Sequence, residues 1–217
     1  MAKPTSPPTT LPAFGLLLLC LLTIGWGINW PIMKIALSDM PPLTFRALCA
    51  LSGAGGLLLL ARAGGQPLRV PRGQWPRLIL LSALNIAVWN ILIIYGLRLM
   101  PSGRAAILGF TMPLWGVLLS RWWLGEPLTA RRLLGLGLGL AGLALLIGSE
   151  VRVLRQAPVG AMLAILAAIG WAAGTVAMKR WPVALPTTAL TGWQMLLGSL
   201  PIVAGALLLE SGQWHAT

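Results

Sequence analysis

The chain has 217 residues, of which 57% are hydrophobic and 9% charged, with a mean hydropathy of +0.84. Water-soluble domains carry roughly 25% charged residues, so this composition excludes an ordinary soluble core. A formal net charge of +12 raises the question of a nucleic-acid partner, but the placement of the basic residues gives the charge another cause.

In chain order, residues 1–10 read MAKPTSPPTT, a proline- and threonine-rich stretch expected to be a disordered tail through residue 12. Seven apolar runs follow, at 13–37, 43–61, 77–97, 103–124, 133–149, 158–178 and 189–209. About 20 apolar residues cross a hydrocarbon core of roughly 30 Å. The runs are continuously apolar, whereas transmembrane strands alternate over about 10 residues. The expected fold is therefore all-α and integral to the membrane, with seven transmembrane helices. With the N-terminus in the cytoplasm, ten of the sixteen Lys and Arg fall in inner loops and four in outer loops. Lys34 and Arg46 complete the set near the outer boundary. Cytoplasmic enrichment of Lys and Arg orients multi-span proteins, so the positive charge is topological and no nucleic acid is needed to explain it.

Cys20 and Cys49 fall at different depths, which argues against a disulfide. The leucines before Cys20 do not suit a lipoprotein site. The first run is also too long for a cleaved signal and lacks an A-x-A site, so it is expected to remain as a span.

Residues 25–34 read GWGINWPIMK, and residues 170–179 read GWAAGTVAMK. Gly, Trp, Met and Lys recur 145 positions apart, across five predicted helices. An odd number of spans inverts the second copy relative to the first, and inverted repeats are a signature of secondary transporters. LTFRAL at 43–48 corresponds loosely to TGWQML at 191–196.

GWGINWPIMK, the PPLTFRA opening of the second helix, and PLWGVLLSRWWLGEPLTARRLLGLGLGLAGLALLIG at 113–148 together resemble the EamA type of the drug/metabolite transporter superfamily. The resemblance implies two five-helix repeats, cytoplasmic termini and a Gly125–Glu126 turn after the fourth helix. On that pattern residues 13–149 form the first repeat and 158–217 a partial second, lacking helices eight to ten. The expectation is a fragment or a truncated product, whose autonomous activity is in doubt. The implied function is transport of small metabolites, commonly export of amino acids or related solutes, by alternating access. The alternative is a non-transporting membrane subunit or an inactive fragment of such a carrier.

Candidate solute contacts follow from helical spacing. Trp26, Asn29, Trp30 and Met33 make one stripe, and Trp171, Gly174, Thr175 and Met178 make its counterpart. An amide in hydrocarbon needs a partner or a wet cavity, which points to Asn29 unless it merely joins helices. Trp30 also suits an interfacial aromatic belt. Asn85 and Trp89 share a face of the third helix, with Asn90 pointing elsewhere. Thr111 and Trp115 lie four apart in the fourth, and Gln194 sits in the seventh, at the position corresponding to Arg46. Aromatic faces beside amides suit small amphipathic solutes. Pro31, Pro113 and Pro201 free the carbonyls of Gly27, Gly109 and Leu197, marking kinks that serve either gating or packing. Lys34 and Arg46 are expected to reach lipid headgroups, or else an anionic solute at the outer vestibule.

Gly135 and Gly139 form a GxxxG pair with Gly137 and Gly142 nearby, a close-packing surface for neighbouring helices or a second copy, hence a homodimer. The sole histidine, His215, and the four acids, Asp39, Glu126, Glu150 and Glu210, all lie at helix ends, in loops or in the tail. No catalytic dyad, metal site or cofactor is expected, so the chain does not read as an enzyme. Nor is a carboxylate relay expected to couple transport to protons. The expected partners are the bilayer of the inner membrane and a small solute.

Overall fold

The computed structural model describes residues 13–148 and 157–213. The expected tail, Ser149, Glu150 and His215 lie outside the described residues. The first two runs form α1 (Ala13–Asp39) and α2 (Pro42–Ala63). Pro41 and Pro42 open α2 where a helix has no use for the missing N–H. The third run is one rod in three parts, α3 (Trp75–Ser82), a π-helical turn (Ala83–Val88) and α4 (Trp89–Leu99). The fourth is divided into α5 (Ser102–Gly109) and α6 (Met112–Leu124). Then come α7 (Ala130–Gly148), α8 (Pro158–Arg180) and α9 (Thr187–Leu209). Six of these rods are long and apolar enough to cross a membrane. The fifth apolar run forms the 19-residue α7, which runs to the edge of the described residues and is not one of those six.

The third rod is the centre of the bundle. Leu78, Leu81, Ile93, Ile94 and Leu97 are at most 1% exposed. Lipid tails are as apolar as leucine, so helices here associate through close packing rather than hydrophobic expulsion. α8 accordingly turns small residues inward, among them Ala164, Ala167 and Ala168, all fully buried. Gly96 and Gly160 let α4 and α8 touch at their backbones, since a Cβ on Gly96 would lie 3.1 Å from the Gly160 carbonyl oxygen. α2 and α9 also pack closely. Gly192 of α9 faces Leu58 and Gly53 of α2 faces Met195. α1 and α7 lie on the outside, with Leu16–Leu22 and Leu133, Leu138 and Leu145 directed outward.

Charged side chains tie helix ends together. Glu210, only 3% exposed, accepts hydrogen bonds from the backbone N–H groups of Leu43 (2.9 Å) and Thr44 (2.8 Å) and from the Thr44 hydroxyl (2.8 Å). A carboxylate thus caps the N-terminus of α2 from the end of α9, where both the orphan N–H groups and the helix dipole favour it. Lys34 does not reach out to headgroups as expected. Its ammonium donates to the carbonyls of Leu97, Arg98 and Met100 at 2.8, 3.3 and 3.0 Å, capping the C-terminus of α4. Three orphan carbonyls converging on one point outcompete solvent for a flexible cation. At the opposite end of the bundle, Glu126 pairs with Arg132 (3.0 Å) and Lys179 (3.5 Å). The Gly125–Glu126 turn forms as expected, with Gly125 left-handed at φ 69°. Both cysteines are free.

Candidate functional site

The fourth span breaks at Phe110–Thr111. Pro113 cannot donate to Gly109, and the turn is instead held by the Thr111 hydroxyl on the Leu108 carbonyl (2.6 Å) and the Trp115 indole on that hydroxyl (3.1 Å). Gly109 is needed here, because a Cβ would come within 3.0 Å of the Trp30 ring. Non-helical backbone at membrane depth is tolerated where it is buried or lines a cavity. A cavity of about 210 Å³ does lie against this break, among α1, α2, α4 and α8. α1 contributes Trp26, Asn29, Trp30 and Met33, and α2 contributes Arg46. Trp89 and Ile93 come from α4, Phe110 and Met112 from the break, and Trp171 from α8.

Five of the ten lining residues are aromatic. Trp26 stacks on Phe110 with centroids 6.3 Å apart, and Trp30 meets the same ring edge-on at 5.8 Å. Trp89 and Trp171 form another edge-to-face pair at 5.4 Å. Such pairs hold one another's orientation, which pre-forms the wall before any solute arrives. The polar atoms are few. Asn29 is exposed, with only a 3.7 Å contact from its Nδ2 to the Met33 sulfur. Arg46 donates to the Asn90 Oδ1 and lies 3.2 Å from the Met33 sulfur. Trp26, Asn29 and Arg46 also border a second hollow of about 350 Å³, toward Asn90 and Met195.

The candidates read from sequence therefore divide. Trp26, Asn29, Trp30, Trp89 and Trp171 meet in one cavity. Thr111 and Trp115 stabilise the break beside it. Thr175 donates back to the Trp171 carbonyl (3.0 Å) and lines a separate hollow with Glu126, Arg132 and Lys179. Asn85 and Gln194 sit behind the cavity, 3% and 6% exposed, joined by an Asn85 Nδ2 to Gln194 Oε1 bond of 3.3 Å.

That last pair explains why one span carries two asparagines. Arg46 touches Asn90 and the Met33 sulfur, while Gln194 touches Asn85 and the Met178 sulfur at 3.5 Å. Met33 and Met178 are repeat equivalents, and Arg46 and Gln194 are near-equivalents. The two halves brace the central rod by the same contact, once from each side. Asn90 was not among the expected solute contacts, and Arg46 was expected at headgroups or at an anionic solute in the outer vestibule, not beside this cavity. The loose correspondence of LTFRAL with TGWQML was the available signal.

The described residues thus form a bundle of long apolar helices with one broken span and a cavity lined in part by aromatic rings. Residues 13–148 match the EamA-like transporter family, and the chain belongs to it. It is a multi-pass membrane protein. It is 34% identical over 202 residues to the uncharacterized transporter YvbV of Bacillus subtilis, covering 91% of this chain and 62% of that protein. It is 29% identical over 200 residues to a "Probable amino-acid metabolite efflux pump" of Salmonella typhimurium, covering 91% and 64%. A solved crystal structure shares the fold with a TM-score of 0.63 at 24% identity, over 87% of this chain and 67% of that one.

Proposed function

We propose that this chain belongs to a carrier that moves small metabolites, amino acids or related solutes, outward across the inner membrane by alternating access. The observation that carries this reading is the cavity where α1, α2, α4, α8 and the broken fourth span converge. Its volume of about 210 Å³ falls below the roughly 300–1,000 Å³ of drug-sized pockets, which suits a small solute. The similarity to the Salmonella efflux pump supports the solute class. The N-terminus is taken to be cytoplasmic, following the arginine bias. Gly139 of α7 already meets Leu114 of α6, and the open Gly135, Gly137 and Gly142 offer a face to neighbouring helices or to a second copy.

The test is counterflow. Proteoliposomes preloaded with pooled unlabelled amino acids are assayed for uptake of radiolabelled phenylalanine, leucine and threonine. Uptake above protein-free vesicles is expected for at least one, with loss in Trp171→Ala. Uptake equal to protein-free vesicles for all three would count against the reading.

A further inference from the structure

We infer that Arg46 is the specificity-determining residue of the central cavity, and that the solute it selects carries a carboxylate on an apolar body. This rests on the reading of the cavity as a solute site. Arg46 belongs to α2, yet its guanidinium borders both the cavity and the adjoining hollow. Among the described residues no carboxylate lies within ion-pair distance of it. Its partners are an amide oxygen and a thioether, and its Nε is buried with none. A cation held in the membrane part of a protein without a counter-charge is costly, and such residues usually face a pathway or a pair.

The near-equivalent position in the other half shows that bracing the bundle does not require this charge. Gln194 makes the corresponding contacts, to Asn85 and the Met178 sulfur, with a neutral amide. The positive charge is thus surplus to packing and sits on the cavity side only. One cation in an otherwise neutral cavity wall neutralises one negative charge, which favours a monoanionic carboxylate over a doubly charged phosphate. Guanidinium donors also match a carboxylate's planar geometry. The rings of Trp26, Trp30, Trp89 and Trp171 then take the apolar body.

The experiment measures binding by calorimetry to the chain in lipid nanodiscs at neutral pH, with empty nanodiscs subtracted. The probes are 3-phenylpropionate, its amide 3-phenylpropionamide, and 3-phenylpropylamine, which share a body and differ in charge. The acid is expected to bind about tenfold or more tighter than the amide, with the amine weakest. Arg46→Gln copies the other half's solution and should fold; it should bring acid and amide to equal affinity, while Arg46→Lys keeps part of the preference. Equal binding of acid and amide to the unaltered chain would overturn the carboxylate assignment yet leave the cavity as a solute site. A preference that survives Arg46→Gln would overturn the role of Arg46. Failure of all three probes to bind would overturn both the inference and the solute-site reading beneath it.

Discussion

Asn29 and Asn85 are the same residue type in similar apolar sequence, and the structure gives them opposite surroundings. Asn29 is exposed at the cavity, whereas Asn85 is held between rods by Gln194 and lies directly against Gly174. Asn85→Leu would leave the Gln194 Oε1 without its partner and crowd the contact with Gly174. A loss of about 1–3 kcal/mol, the cost of a buried unsatisfied amide, is expected as reduced folded yield and earlier thermal unfolding in detergent. Asn29→Leu should leave yield and unfolding unchanged while lowering uptake in the counterflow assay. Equal loss of yield in both variants would assign both amides to packing. Glu210 offers a second residue-scale test, because one carboxylate holds three donors at the start of α2. Glu210→Ala should cost about 1–2 kcal/mol, the range of lost helix caps. A variant that unfolds like the parent would show that water replaces the cap without loss.

Elements meet here through glycines, and the contacts distinguish which glycines matter. A Cβ on Gly198 of α9 would fall 2.7 Å from the Ser82 carbonyl oxygen and 2.5 Å from Ile86 Cβ, at the start of the π-helical turn. Backbone cannot step aside as a flexible side chain can, so Gly198→Ala should destabilise by about 1–3 kcal/mol. Gly56 of α2 has nothing within 4 Å of its hypothetical Cβ, so Gly56→Ala should stay within about 0.5 kcal/mol of the parent. Comparing the two in the same thermal unfolding assay checks the α9 contact. Similar stability for both would mean that α9 does not seat on the central rod as described. The π-helical turn lies at this contact, and such turns often accompany functional positions.

At the scale of the molecule, the proposed inversion of the second repeat makes a claim about sides. Gly73, between α2 and α3, and Gly212, after α9, are both exposed and have room for a side chain. In a background lacking Cys20 and Cys49, a cysteine at Gly73 should react with an impermeant maleimide only after membranes are opened. One at Gly212 should react in intact cells. Reaction of both from one side would contradict the odd number of spans between the halves and, with it, the arginine-based orientation.

Local order and solvent were legible in the residues themselves. Apolar runs of 17 to 25 residues, bounded by proline, glycine and arginine, are long enough to require helices in lipid. Their observed limits follow those runs closely. The recurrence of GWGINWPIMK as GWAAGTVAMK was also readable, and its Met33 and Met178 sulfurs make comparable contacts, with Arg46 and Gln194. Tertiary structure alone decided which polar side chain meets which. Whether an amide faces a cavity or a neighbouring rod depends on helix rotation and crossing, which the apolar pattern constrains weakly when helices are apolar all round. That is why Asn29 and Asn85 could not be told apart, and why Lys34 and Arg46 read as headgroup anchors or as contacts to an anionic solute at the outer vestibule. The break at Phe110–Thr111 was signalled by Pro113 only as a kink. Its depth beside Trp30 and Gly109 emerges once α1 and α5 pack together.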